Sequence, residues 1–262
     1  MKEDAEVKKE ISENISRVSS DGADYVDVRY YLEDSSETLL LYDGNLEAND
    51  TTFQRGIGVR VLWNGAWGFA ATSDPSGLKA CFDKAALNAR TASELVKEPL
   101  SMGEREPVRG NYATPVEVDP AAVSLKDKMT FLTNLDNELK DDFILRRMIY
   151  ANFMKKRINF QNSEGSEIDK DLVHVFGMMM VMALDSDGEM QRRSMNLYST
   201  GDGTAGWKMM TTPELFSGHA SRVKSELSEL IKAEPLEYGK RSVILLPGQG
   251  HPQVHETIGH PL

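Results

Sequence analysis

Apolar positions along the first hundred residues change period in an orderly way. Val7, Ile11, Ile15 and Val18 recur at helical spacing with charges between them, which predicts an amphipathic helix stopping at Asp21-Gly22. Val26, Val28 and Tyr30 then alternate with Asp27, Arg29 and Tyr31, the period-two pattern of a strand. A strand over 38–42 leads to a turn at Asp43-Gly44. Ile57, Val59, Val61 and Trp63 form a further strand, joined by Asn64-Gly65 to Trp67 and Phe69. An Asn-Gly pair between alternating runs is the strongest short-range hairpin signal. Asp74-Pro75 reads as the N-cap and first turn of a helix whose core face is Leu78, Cys81, Phe82, Ala85 and Ala89. Residues 1–98 therefore predict an N-terminal α+β domain.

Residues 99–115 belong to a stretch rich in proline, glycine and charge, with Pro99, Gly103, Pro107, Gly110 and Pro115, and read as a linker. A central α+β domain is expected over 116–235. Ser124 caps a helix with Leu125, Met129, Leu132, Leu135 and Leu139 facing inward. Strand patterns over 145–161, 166–184 and 189–199 are separated by short turns at 163–165 and 185–188, which implies antiparallel pairing. Thr212-Pro213-Glu214 opens another helix with Leu215, Val223, Leu227, Leu230 and Ile231 on one face. Residues 236–262 differ: a short apolar strand over 242–246, a turn at Pro247-Gly248-Gln249-Gly250, and a helix starting at Pro252. One strand and one helical turn cannot bury a core. This segment is expected to be the truncated start of a third, catalytic domain. The fold class is α+β: two α+β domains with mainly antiparallel sheets and packed helices, followed by that fragment. No sequence repeat at a fixed period is evident.

Composition narrows the partners. Of 262 residues, 40% are hydrophobic, enough for a buried core, so a disordered chain is excluded. With 30 basic against 41 acidic side chains the net charge is −11, which argues against direct nucleic-acid binding. The single cysteine, Cys81, allows no intrachain disulfide and fits a reducing compartment. The opening MKEDAEVKKE has no apolar segment of a signal peptide, and the longest apolar run, 175–184, is too short to span a bilayer. A cytoplasmic protein without membrane partners is expected.

Three of the five histidines fall in the string HPQVHETIGH. His255-Glu256 followed by His260 is the zinc-hydrolase pattern H-E-x-x-H with one extra residue. Four residues advance a helix by about 400° and five by about 500°, so an undistorted helix would aim the two imidazoles about 140° apart. Gly259 and Pro261 flank His260 and could let the helix end or bulge, bringing the ring back. On spacing alone a surface or capping arrangement is the commoner origin of such a match, so both readings stand at this point. His251, placed before Pro252, reads as a cap or loop residue, His174 as structural and His219 as exposed. Cys81 reads as a small core residue. Gly201-Asp202-Gly203-Thr204-Ala205-Gly206 lacks the strand–helix context of a phosphate loop and reads as a connection. Pro247–Gly250 could meet an anion through backbone N–H groups but reads better as a turn. Met178, Met179, Met180 and Met182 read as core packing rather than a copper site.

Gly56-Ile57-Gly58-Val59-Arg60-Val61, then Gly65-Ala66-Trp67-Gly68-Phe69-Ala70, resembles the N-terminal signature of the TldD/PmbA family. So does Val243-Ile244-Leu245-Leu246-Pro247-Gly248 running into His255-Glu256-Thr257-Ile258-Gly259-His260. The resemblance covers essentially the whole chain in order. The H-E-x-x-x-H after that strand is similar to the TldD type, since the PmbA-type partner, also called TldE, lacks it. The resemblance implies a cytoplasmic zinc metalloprotease acting on peptides or unfolded polypeptides, paired with a PmbA/TldE-like subunit or with itself. Some members mature peptide antibiotics or remove antitoxins, and an older label is modulator of DNA gyrase. It implies His255 and His260 as zinc ligands and Glu256 as general base. The family's third ligand is a cysteine much further along, whose position Cys81 does not occupy. A chain limited to these residues is therefore expected to hold Zn2+ weakly or not at all and to be inactive. The alternative is a non-catalytic regulatory or binding subunit with a vestigial motif.

Overall fold

In the computed structural model, which describes residues 2–103, 105–197 and 206–261, the first helix α1 spans Lys2–Ser20. It stops where Gly22 takes φ +108°, backbone that favours glycine. Strand β1 (Tyr25–Tyr42) turns at Asp43-Gly44 into β2 (Asn45–Trp63), and Asn64-Gly65 turns β2 into β3 (Ala66–Thr72). Both residues of each turn have positive φ: 50° and 81° in the first, 45° and 76° in the second. That is the type I′ geometry whose twist matches the strands it joins. β2 and β3 pair antiparallel with Val59 opposite Ala70 and Val61 opposite Gly68.

Asp74 caps a single 3-10 turn, its carboxylate accepting from the Ser76 N–H, and α2 follows over Leu78–Ser93. Its five predicted core residues are all buried. α2 crosses β3 so closely that a Cβ on Gly68 would lie 2.2 Å from both the Ala85 oxygen and the Ala89 nitrogen. A short strand β4 (Arg109–Ala113) pairs parallel with β6, so the predicted linker contains a sheet strand. All five of its residues are exposed, so no hydrophobic period marks it.

Ser124 caps α3 (Leu125–Leu139), accepting the Asp127 N–H at 3.1 Å. Leu132, Leu135 and Leu139 are buried, whereas Leu125, in the first turn, is exposed. β5 (Arg146–Asn162), β6 (Glu167–Leu184) and β7 (Met190–Asn196) follow, β7 antiparallel to β6. A one-turn helix α4 (Lys208–Thr211) precedes α5, which begins at Ala220 and runs to Leu230. In place of the predicted helix start, 213–216 form a turn and Ser217–His219 a 3-10 turn, with the Gly218 N–H donating to the Pro213 oxygen at 3.0 Å. The strand order is β3-β2-β1-β5-β6-β4, with β7 also on β6. The fold is mixed α and β with a mainly antiparallel sheet.

The chain divides into two compact units that interleave in sequence. One takes residues 1–35, 52–114 and 154–172, the other 36–51, 115–153 and 173–262. β1, β2, β5 and β6 each contribute to both. The first core joins Val7, Ile11 and Ile15 of α1 to Val26 and Val28 of β1 and to Phe82 of α2. The second joins Leu132 and Leu139 of α3 to Ile149, Val175, Met179 and Leu227. Among the described residues no helix is long and apolar enough to cross a membrane.

Candidate metal centre

The predicted strand over 242–246 is not formed. No partner strand faces it among the described residues, and Val243, Ile244, Leu245 and Leu246 are exposed. The helix predicted to open at Pro252 instead opens at Pro247. Leu246 is its extended N-cap, Pro247 supplies a first helical residue with φ already fixed, and the Gly250 N–H donates to the Leu246 oxygen at 2.7 Å. Helix α6 therefore spans Pro247–Val254 and contains Pro252, so His251 is helical and not a preceding loop residue. The predicted turn at Pro247–Gly250 is its first turn.

At Val254 the helix changes pitch. His255–Gly259 form a π turn, closed by the His260 N–H donating to the His255 carbonyl at 3.1 Å. An i→i+5 bond stacks the sixth residue over the first, which removes the 140° divergence of a regular helix. The rings of His255 and His260 come together with centroids 4.5 Å apart and planes 76° to each other. Glu256 Oε2 lies 3.8 Å from His260 Nε2. One potential ligand atom from each of the three side chains lies within 4.8 Å of the other two. All three side chains are exposed. Gly259 does not use left-handed backbone, and a Cβ there would meet His255 Nδ1 at an ordinary 3.7 Å, so the turn does not depend on glycine at this position.

The remaining candidates stand apart from this cluster. His174 is half-buried on β6. His219 is half-buried rather than exposed, with Nε2 2.9 Å from the Glu214 oxygen. Cys81 is in the first core, and burial pushes its thiol above the usual range, which keeps it protonated and unreactive. Met179 is in the second core, whereas Met178, Met180 and Met182 alternate onto the other sheet face and stay half-exposed. Residues 201–205 of the glycine-rich segment lie outside the described residues.

One group of side chains escaped sequence reasoning. Asp27, on the outward face of β1, is fully buried, held by Arg60 Nη2 at 2.6 Å and Arg29 Nη1 at 3.1 Å. Alternation alone marks it, with Arg29 two residues on, as an outward polar position, and only the pairing of β1 with β2 supplies the Arg60 guanidinium.

Proteins similar to this chain in sequence include metalloproteases. Residues 26–89 match the family description PmbA/TldA metallopeptidase domain 1. A metalloprotease of Methanocaldococcus jannaschii is 26% identical over 240 residues, covering 90% of this chain and 51% of that protein. A metalloprotease of Methanothermobacter thermautotrophicus is 24% identical over 241 residues, covering 92% and 50%. Two solved structures share the fold. One, a Thermotoga maritima protein described as a candidate modulator of a DNA gyrase, has TM-score 0.68 and 18% identity, covering 90% of this chain and 50% of that one. The other, TldE from Thermococcus kodakarensis, has TM-score 0.57 and 13% identity, covering 83% and 47%. Residues 26–89 thus resemble the first domain of the PmbA/TldA family, and most of the chain is similar to curated metalloproteases. The chain spans about half the length of the curated relatives it matches.

Proposed function

We propose that this chain is part of a TldD-type zinc peptidase that hydrolyses peptides or unfolded polypeptides in the cytoplasm, together with a PmbA/TldE-like subunit. The observation that carries the proposal is the π turn, which gathers His255, Glu256 and His260 despite a spacing a regular helix cannot use. Two imidazoles and a carboxylate are suitable donor types for zinc. A tetrahedral site with bonds of about 2.0–2.1 Å has ligand atoms about 3.3 Å apart. The present spread is up to 4.8 Å, and all three side chains are exposed. The fit is partial in number: with Glu256 reserved as base, two protein ligands remain where catalytic zinc takes three. His255 and His260 would hold the ion, which when bound would polarise the scissile carbonyl and acidify water. Glu256 takes the proton of the attacking water on a carboxylate oxygen and returns it to the leaving amine nitrogen.

The test is a peptidase assay on the complete gene product with a TldE-type partner, comparing wild type with Glu256→Ala. Activity lost with zinc retained supports the base role. Equal activity in the variant overturns it, and no activity in either, with zinc bound, favours a regulatory subunit.

A further inference from the structure

Within the unit formed by residues 1–35, 52–114 and 154–172, the sheet face bearing Asp27 carries guanidiniums laid on aromatic rings. Arg60 lies 4.9 Å from the Trp67 ring centre, Arg105 4.9 Å from Tyr25, and Arg29 5.5 Å from Phe160. The carboxylates are unevenly shared. Arg60 grips both oxygens of Asp27, through Nε at 3.1 Å to each and Nη2 at 2.6 Å. Arg105 pairs with Glu164 at 3.0 Å. Arg29 keeps one 3.1 Å contact to an Asp27 already neutralised by Arg60. The Lys170 side chain, exposed on β6 opposite Tyr112 of β4, has no ion-pair or hydrogen-bond partner among the described residues.

These two under-neutralised cations sit at one place. Arg29, Tyr31, Ile158, Phe160, Ile168 and Lys170 line a groove of about 340 Å³ across β1, β5 and β6. Its walls are apolar and aromatic, and its surplus charge is positive. On a chain of net charge −11 a local excess of cation needs an anionic counterpart. The groove is open along the sheet, which suits side chains of an extended segment better than an enclosed small molecule.

The geometry points to a docking groove for an acidic, apolar peptide segment, whose carboxylates meet Arg29 and Lys170 while a large apolar side chain lies against Phe160, Ile158 and Ile168. A nucleic acid is the poorer occupant, because the overall charge of −11 repels phosphate. This inference does not depend on the metal-centre reading.

The test is fluorescence anisotropy of the 262-residue chain with a fluorescein-labelled, amidated Glu-Leu-Glu-Phe-Glu-Leu peptide. The expected result is saturable binding with Kd below about 1 mM, weakened by salt. Arg29→Gln and Lys170→Gln should each raise Kd roughly threefold to tenfold, as loss of a partly exposed charged contact does. Lys97→Gln removes an equal charge elsewhere and should leave Kd within about twofold. Lys170 is exposed, so its variant keeps the fold; an unchanged thermal melt checks this. The proposal is overturned if no binding is seen, if the Glu→Lys peptide or a short oligothymidylate binds as well, or if Lys170→Gln has no more effect than Lys97→Gln.

Discussion

Replacing Gly68 by alanine adds one methyl group between β3 and α2, where backbone already occupies the space. The new Cβ would stand 2.2 Å from the Ala85 oxygen, 2.2 Å from the Ala89 nitrogen and 2.8 Å from the Ala89 Cα. Comfortable contact needs about 3.5 Å, so these atoms must retreat by roughly 1 Å. They are held in the hydrogen-bond ladder of α2 and no side-chain rotation relieves them. The helix must lift as a body, taking Phe82, Ala85 and Ala89, all 0% exposed, away from the sheet. Overpacking by a methylene usually costs about 1–3 kcal/mol, and the rigidity of this contact puts Gly68→Ala at or above the upper end. The alanine also lowers unfolded-chain entropy, which offsets about 0.4–1 kcal/mol. The net expectation is a loss of about 2–3 kcal/mol. Urea unfolding followed by tryptophan fluorescence and circular dichroism measures it. Gly110→Ala, on β4 with nothing within 4 Å, is the reference and should stay within about 0.5 kcal/mol of wild type. If the two variants unfold at the same urea concentration, the close approach of α2 to β3 is wrong.

Three further outcomes are expected. Asp136, 1% exposed, holds Arg147 at 3.0 Å, so Asp136→Ala strands a largely buried guanidinium and should cost about 2–4 kcal/mol in urea unfolding, part being recovered through Asp43. Burial raises the Asp43 carboxyl, but the Arg146 guanidinium and the Arg147 N–H outweigh it and leave it below the usual range. Its folded value being depressed, its stabilisation is full above the ordinary carboxylate value of about 3.9 and disappears as pH falls through the folded value. Asp43→Asn, which keeps the left-handed turn residue, should flatten that acid limb of stability against pH, and an unchanged limb refutes the assignment. Zinc added to this chain in a calorimetric titration should bind weakly, and His255→Ala should remove the signal; tight one-to-one binding would refute the two-ligand account.

Local backbone demands were the most legible part of the fold. Asp43-Gly44 and Asn64-Gly65 announce type I′ turns because few other residues accept positive φ twice in succession, and the structure has both. The apolar faces of α1 and α2 were legible for a similar reason, since helical period alone selects the buried residues. β4 was not, because its place is set by main-chain bonds: the Glu167 N–H donates to the Val108 oxygen and the Thr114 N–H to the Asp171 oxygen. The run at 242–246 misled in the opposite direction. Its side chains suit a strand, but a strand also needs a neighbour, and the sequence of the run cannot supply one.

The two clusters of chemical groups divide along the same line. His255, Glu256 and His260 lie within six residues, so their mismatch with a regular helix could be worked out from the spacing and the need for a bulge inferred. The groove around Arg29 draws Phe160 and Lys170 from two other strands. Nothing local distinguishes an outward Asp27 open to water from one walled in by Arg29 and Arg60. That difference follows from the placement of β1 between β2 and β5, a long-range choice made by the cores on the opposite face.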